Sequence, residues 1–393
     1  MVTISVATPY HQQDTNYYCG AASAQMVLAS ISGGKLLDQT LLYKENHSHS
    51  TAESGWATGP DGLTWTLNHH QPAHYLFVLD ALASEDSISR MICWTLHHYK
   101  VAPVALVYGS QHWVVVRGAH VSAVPASSQD HAYSISGFHV NNPWPPVPGG
   151  PGSPPPHSTT DHCGSGGNRG IANEHISYAA WRSTYMTGVP SGHWAGKFVA
   201  VCDPSPPPTE IGRREAISWG GPGPLIAPQA ALAKAQEGVT AFRLVEDPDW
   251  ARALQPLAGA AAAEPVLVQR LDHPDSYYYL VPQGGAVVAI DAHDGSYLQS
   301  SIHPEAPRLL SPANLTALGQ LPFRQQIHLP NQAGLLQLRP EAATPHKCLV
   351  WKPCAESLSP VFPFQLVSQG EHQVYVRVDG AVFSELHTEG RGL

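Results

Sequence analysis

A cysteine near the N-terminus lies where a helix is expected to begin. The stretch PYHQQDTNYYCGAASAQMVLASI, residues 9–31, opens a run with apolar residues at helical spacing over residues 21–32. The first turn of a helix presents free N–H groups and the positive end of the helix dipole, and both lower the pKa of a thiol. Cys19 is therefore a candidate nucleophile. The alternative is a buried structural thiol, which is the usual environment of cysteine.

Two residue types near Cys19 suit the binding of an oxyanion. Gly20 would let the chain turn tightly and let a substrate backbone approach. Gln13 lies six residues upstream of Cys19, from where its amide could donate a hydrogen bond to an oxyanion beside the Cys19 N–H. Gln12 competes with Gln13 for this role, and the spacing favours Gln13.

A histidine and an asparagine further along the chain could complete the set. His112 opens the apolar run HWVVV, so it would lie on a rigid strand and could take the proton of the thiol. Asn142, followed by Pro143, comes after the next strand and could orient the imidazole. The simpler interpretations are an exposed histidine at a strand end and a turn-forming asparagine. Asn141 is a second candidate for the orienting amide, and Trp113 either covers the imidazole–amide contact or fills the core.

Length, composition and charge limit the class of protein. The chain has 393 residues, which suggests two or three domains at about 150 residues each. It carries 21 basic and 30 acidic side chains, and the net charge of −9 argues against a nucleic-acid binder and against docking on an anionic membrane. No apolar run is long enough for a membrane span, and no secretory pattern is visible. We therefore expect a cytoplasmic protein by default, with signal-free secretion as the alternative.

Proline-rich segments divide the chain. The first, PWPPVPGGPGSPPP, leads into a stretch rich in glycine, serine and histidine, and we interpret residues 144–170 as an insertion within a domain of residues 1–203. The second contains PSPPP, and we interpret residues 204–209 as a linker, because the sequence that follows has a different composition.

The order of local patterns in residues 1–203 predicts an α+β fold. After the first helix, Ser84 is a suitable N-cap for a second helix over residues 84–99. We expect strands over residues 101–108, 113–119, 133–140 and 196–201, and a short helix over residues 176–189. Helices followed by antiparallel-type strands favour this class over a doubly wound sheet.

The C-terminal half contains a faint internal repeat. LVPQG at residues 280–284 is echoed by LVSQG at residues 366–370, and an alternating strand, an aspartate and a glycine turn follow each copy. We predict two small α+β units with antiparallel sheets, at residues 210–305 and 306–393, with a helix over residues 228–237. Short hairpins also resemble each other by chance. These units could dock a substrate, inhibit by covering the cleft, or anchor the protein to a cell surface.

The motifs of the N-terminal half resemble those of the papain-like cysteine peptidases. They are most similar to the double-glycine leader peptidases of bacteriocin exporters and to related bacterial effector peptidases. Those proteins have a glutamine, then Cys-Gly-Pro-Ala at a helix start, His-Tyr/Trp-Val-Val-Val and Asn/Asp-Pro. The matching residues here are Gln13, Cys19, Gly20, His112 to Val116, Asn142 and Pro143. The resemblance covers about residues 5–203, with Ala21 in place of the usual proline and Asn142 in place of a common aspartate.

The resemblance implies a cysteine peptidase that hydrolyses peptide or isopeptide bonds in a protein or peptide substrate. In that family Cys19 would be the nucleophile, His112 the base, Asn142 the orienting residue and Gln13 the oxyanion donor, with no metal and no cofactor. The same residues would also serve an acyltransferase that uses an amine instead of water. A catalytically silent peptide-binding protein is the third interpretation.

Other patterns predict less chemistry. The histidines at residues 47–49, 69–70 and 97–98 lack the spacing of metal ligands, so we expect solvated side chains. Cys348 and Cys354 could form a local disulfide, and so could Cys163 and Cys202, or all four could remain thiols.

Overall fold

A computed structural model describes most of the chain. It covers residues 1–15, 17–72, 75–143, 171–203, 223–256, 264–324, 326–328, 335–354 and 356–387. The described residues fall into two compact units, the first comprising those up to residue 203 and the second those from residue 223 onward. Both units contain helices and strands, which confirms the α+β class. The predicted insertion at residues 144–170 and the linker at residues 204–209 lie outside the described residues.

The first unit contains five α-helices and seven strands among its described residues. The helices are α1 (Cys19–Ile31), α2 (Gln39–Ser48), α3 (Pro60–His70), α4 (Glu85–Trp94) and α5 (Tyr178–Ala180). The strands are β1 (Val2–Ser5), β2 (Val78–Leu82), β3 (Val104–Val107), β4 (His112–Val121), β5 (Ile135–Asn142), β6 (Ile171–Ser177) and β7 (Phe198–Cys202). π-Helical turns follow α4 and α5, at Thr95–Tyr99 and Trp181–Tyr185.

An antiparallel sheet forms the centre of the first unit. Its strand order is β6-β5-β4-β3-β7-β2. The first half of β4 pairs with β3 and the second half pairs with β1. The ladder between β4 and β5 is the longest of this sheet. Helix α1 packs against β4, and its residues from Cys19 to Ala29 are all buried. This packing brings the start of α1 to the start of β4.

Most predicted elements of the first unit are present. Ser84 caps α4, since its hydroxyl accepts a hydrogen bond from the Ser87 N–H at 3.3 Å. The predicted helix over residues 176–189 begins later and is shorter, because β6 continues to Ser177, whose hydroxyl caps α5 instead. Helices α2 and α3 were not predicted.

The second unit combines short helices with a larger set of strands. The helices are α6 (Pro228–Ala241), α7 (Pro248–Ala253), α8 (Ala306–Leu309) and α9 (Pro312–Leu318). The strands are β8 (Val266–Arg270), β9 (Tyr277–Gln283), β10 (Ala286–Asp291), β11 (Tyr297–Ile302), β12 (Ile327–His328), β13 (Leu335–Leu336), β14 (Thr344–Pro345), β15 (Leu349–Trp351), β16 (Phe364–Gln369), β17 (His372–Arg377) and β18 (Val382–Phe383).

Strands from both predicted C-terminal units share one sheet. The order is β18-β17-β16-β15-β8-β9-β10-β11, and β15 and β8 are parallel at its centre. The division expected between residues 305 and 306 is therefore replaced by one compact unit, because β15 completes the hydrogen bonds of β8. The repeated motif forms two equivalent hairpins, β9–β10 and β16–β17. Each is closed by a two-residue loop whose first residue, Gly284 or Gly370, has φ of 59°.

Two further expectations concern cysteines and membranes. Cys348, Cys354 and Cys202 are free thiols, so the local disulfide is not formed, and Cys163 lies outside the described residues. No helix within the described ranges is both long and apolar enough to span a bilayer.

Candidate functional site

Cys19 is the first residue of α1. The N-cap residue, Tyr18, makes no side-chain capping bond, so the first turn keeps backbone donors for other acceptors. Burial raises the pKa of the Cys19 thiol to about 12, although the backbone N–H groups of Trp113, Gly20 and Cys19 itself act in the opposite direction. Burial outweighs these backbone N–H groups, so the isolated Cys19 thiol is neutral.

Gly20 is required by close packing. It is helical, and a Cβ at this position would lie 2.4 Å from Cγ2 and 2.7 Å from Oγ1 of Thr58. The Thr58 carbonyl also accepts a hydrogen bond from the indole Nε1 of Trp113 at 3.1 Å. Thr58 therefore contacts both the start of α1 and the start of β4. The Trp113 indole belongs to the buried core that also contains residues of α1, as one of its two predicted roles requires.

The loop before His112 has an unusual backbone. Tyr108, Gly109 and Ser110 have φ of 54°, 65° and 92°, and two of these residues are not glycine. Backbone of this kind costs energy and persists only where the surrounding fold holds it. Here the Tyr108 N–H donates to the Tyr185 carbonyl at 2.7 Å, and the Tyr108 ring lies within 20° of parallel to the His112 imidazole. The loop fixes the position at which His112 enters β4.

His112 and Asn142 are joined by a hydrogen bond. His112 Nε2 lies 2.7 Å from Asn142 Oδ1, and because a carboxamide oxygen only accepts, Nε2 carries the proton. Nδ1 is then the basic nitrogen, and it is buried with no hydrogen-bond partner among the described residues. Burial lowers the pKa of His112 to about 4, and the bond to Asn142 raises it in part. The imidazole is neutral and offers one lone pair.

The side-chain amide of Asn142 is itself held by a second hydrogen bond, to a carboxylate. Asn142 Nδ2 lies 3.4 Å from a carboxylate oxygen of Glu174, a fully buried residue of β6. Glu174 was missed in the sequence, because no motif marks it and only the pairing of β5 with β6 brings it to Asn142. Asn141 has a different role: its amide donates to the Thr8 carbonyl at 3.2 Å and accepts from the Asn173 N–H.

Gln13 lies beside this pair but points its amide elsewhere. Its backbone N–H donates to the Pro143 carbonyl at 3.0 Å, which places it next to Asn142. Its Nε2 donates to the Thr15 carbonyl at 2.7 Å, while Oε1 is buried with no partner in the described part of the chain. The neighbouring Gln12 has its carbonyl held by Gln39 Nε2 at 2.9 Å.

The structure thus brings four predicted residues to one region of the first unit. The starts of α1 and β4 meet where the Ser23 hydroxyl donates to the Trp113 carbonyl at 3.4 Å, and Trp113 directly follows His112. Cys19 and His112 themselves share no hydrogen bond within the described residues, and both are fully buried. Such contacts are often long without substrate and tighten in the complex.

The comparisons with known proteins add no relative. No protein-family model matches the chain, and neither the curated proteins nor the solved structures include a significant match.

Proposed function

We propose that the first unit is a papain-like cysteine peptidase domain with Cys19 as nucleophile, His112 as general base and Asn142 as the residue that orients it. The observation that carries the proposal is the hydrogen bonding of the two ring nitrogens of His112. Nε2 is bound to Asn142 Oδ1 at 2.7 Å, which leaves the buried Nδ1 as a base without a partner. The backbone N–H of Trp113, the residue after His112, acts to lower the pKa of the Cys19 thiol, so base and thiol lie near each other in the fold.

Burial sets the energetics of the first step. A lone thiolate and a lone imidazolium are each disfavoured here, as the pKa of about 12 for Cys19 and of about 4 for His112 indicate. Forming both charges together, with backbone N–H groups on the sulfur and the Asn142 oxygen on the imidazolium, offsets part of that cost. The proton of Cys19 would pass to His112 Nδ1 as the substrate arrives.

The reaction then follows nucleophilic acyl transfer. The thiolate forms a C–S bond to the carbonyl carbon, and the oxyanion accepts hydrogen bonds from the Cys19 N–H and from Gln13 Nε2. Gln13 has a second N–H on the same nitrogen, so it can serve the oxyanion while keeping its bond to Thr15. As the C–N bond breaks, the His112 imidazolium gives its proton to the leaving amine, and water then releases the acyl group from Cys19.

Thiol labelling across pH tests this proposal. Iodoacetamide labelling of the full chain from pH 4 to 9, read by peptide mapping, compares Cys19 with Cys202, a second buried free thiol of the same unit. Because His112 would take the Cys19 proton as an electrophile enters the site, we expect Cys19 to label well below pH 8.5 despite its burial and to lose this behaviour in His112→Ala. Cys202 should label only on unfolding. Equal rates and equal pH profiles for both thiols, in both proteins, would contradict the proposal.

A further inference from the structure

Three histidines on neighbouring strands form a buried cluster away from Cys19. His120 lies on β4, His139 on β5 and His175 on β6, and all three side chains are buried. Their ring centroids are 4.8, 5.1 and 4.9 Å apart, which is close to an equilateral triangle. One ring nitrogen from each lies within 4.8 Å of the others.

These distances match the geometry of three imidazoles on one ion. With a metal–nitrogen bond of about 2.0 Å and tetrahedral angles, the ring centres would lie about 5 Å apart and the ligand nitrogens about 3.3 Å apart. The observed separation of His120 Nε2 and His139 Nε2 is 2.8 Å, a hydrogen bond between the two rings. An opening of about 0.5 Å would turn this bond into two metal bonds.

The cluster also has an outer hydrogen-bond partner of the kind that metal ligands use. His120 Nδ1 lies 3.1 Å from the hydroxyl of Thr3 on β1. A hydroxyl both donates and accepts, so it can hold either tautomer of His120. When Nε2 is occupied by a metal, Nδ1–H would donate to Thr3, which fixes the ring as such contacts do in metal sites. Thr3 is itself exposed, so it can be changed without opening the core.

Gly137 on β5 provides the space that the three imidazole rings need. His139 and His175 are direct partners across β5 and β6, whereas His120 lies opposite Gly137. A Cβ on Gly137 would lie 2.9 Å from His175 Nε2, so only glycine lets this ring lie over β5.

We propose that His120, His139 and His175 bind one divalent transition-metal ion of the zinc class, with the fourth position open to water. His120 and His139 would bind through Nε2. The ion would fasten β4, β5 and β6 to one another. Imidazole nitrogens suit Zn²⁺ and its neighbours rather than Mg²⁺ or Ca²⁺, which prefer oxygen ligands. The proposal does not depend on the cysteine chemistry.

Cobalt and zinc titrations of the full chain test the site. After removal of bound metal with a chelator, CoCl₂ should give one tight site per chain with the visible absorption of tetrahedral Co²⁺, and ZnCl₂ should displace it and raise Tm by about 5 °C or more. We expect His139→Gln to weaken binding at least about 100-fold and Thr3→Val to weaken it about tenfold.

A surface group provides the matched control. Glu45, His69 and His70 also lie close enough to share an ion, and they are partly exposed. His69→Gln should leave the tight site unchanged. Loss of binding in His69→Gln, or the same affinity in wild type and Thr3→Val, would overturn the proposal. Thr3→Val decides the question even if His139→Gln fails to fold, and so does an absence of tetrahedral Co²⁺ absorption in the wild type.

Discussion

The two histidine groups of the first unit share strands β4 and β5 but have different partners. His112 is bound on one nitrogen by the Asn142 amide, which makes its two nitrogens unequal and leaves Nδ1 as a base. In the cluster, His120 contacts another imidazole at 2.8 Å, and the three rings are evenly spaced. Both groups are buried, so the difference between a proton acceptor and a set of metal ligands comes from the neighbours rather than from burial.

The strands β4 and β5 connect these two groups. His139 lies three residues before Asn142 on β5, and His175 directly follows Glu174 on β6. A substitution in one histidine group can therefore shift residues of the other group. The most informative experiments are those that change one group and leave the other intact.

Removal of the thiol should have the largest effect and should act on one group only. We expect Cys19→Ala to lower peptide hydrolysis on the order of 10⁴-fold or more, because the step that forms the C–S bond is lost. Co²⁺ binding should be unchanged. Cys202→Ala is the matched control, since Cys202 is a free and fully buried thiol of the same unit. Full activity of Cys19→Ala on a fluorescent protein substrate would exclude Cys19 as the nucleophile.

Acid should destabilise the first unit through both groups. The folded-state pKa of His112 is about 4, so between pH 6.5 and pH 4 the unfolded chain binds more protons than the folded one. Stability is then fully present above pH 6.5 and falls as the pH drops, by about 3 kcal/mol for this residue. The pKa of His175 is shifted in the same direction.

Urea unfolding at pH 7.5 and pH 5 measures this loss. His112→Gln should keep the part of the pH dependence that comes from the cluster and lose its own part. A pH dependence that is identical in His112→Gln and wild type would mean that His112 is not buried and neutral in the folded protein.

Two glycines allow the groups to be disturbed one at a time. Gly20→Ala places a Cβ against Thr58, and Gly137→Ala places one against the Ile176 carbonyl at 2.6 Å and the His175 ring. Each should cost about 1–3 kcal/mol of stability by overpacking. Gly20→Ala should slow Cys19 labelling and leave Co²⁺ binding unchanged. Gly137→Ala should weaken Co²⁺ binding and leave Cys19 labelling unchanged. Equal effects of both variants on both measurements would show that the two groups act as one.

The smallest effect on hydrolysis is expected from substitution of Glu174, whose carboxylate accepts a hydrogen bond from Asn142. Glu174→Ala removes an acceptor of the Asn142 amide and should lower hydrolysis about tenfold or less, the scale of one hydrogen bond. Glu174→Gln keeps an oxygen at this place and should restore most of the activity. A rate for Glu174→Gln as low as that for Glu174→Ala would mean that the charge, and not the orientation of Asn142, matters.

Local patterns predicted much of the first unit. The start of α4 after Ser84 and the strands β3, β4 and β5 follow from capping and apolar alternation, which act within a few residues. Helix α2 escaped this reasoning because its buried face includes Gln39 and Asn46, polar residues that no apolar periodicity marks. Gln39 accepts from the Asp14 N–H and donates to Gln12.

The sequence by itself determined the order and type of the candidate site residues. Cys19 at a helix start, His112 at the mouth of an apolar strand and Asn142 before Pro143 are local features, so they were visible without a structure. Tertiary structure decided which nitrogen of His112 is bound, which asparagine binds it, and that Glu174 stands behind the pair. It also gathered His120, His139 and His175, which no spacing rule connects. Strand register and burial fix these contacts between residues far apart in the chain, and neither quantity is encoded in a local pattern.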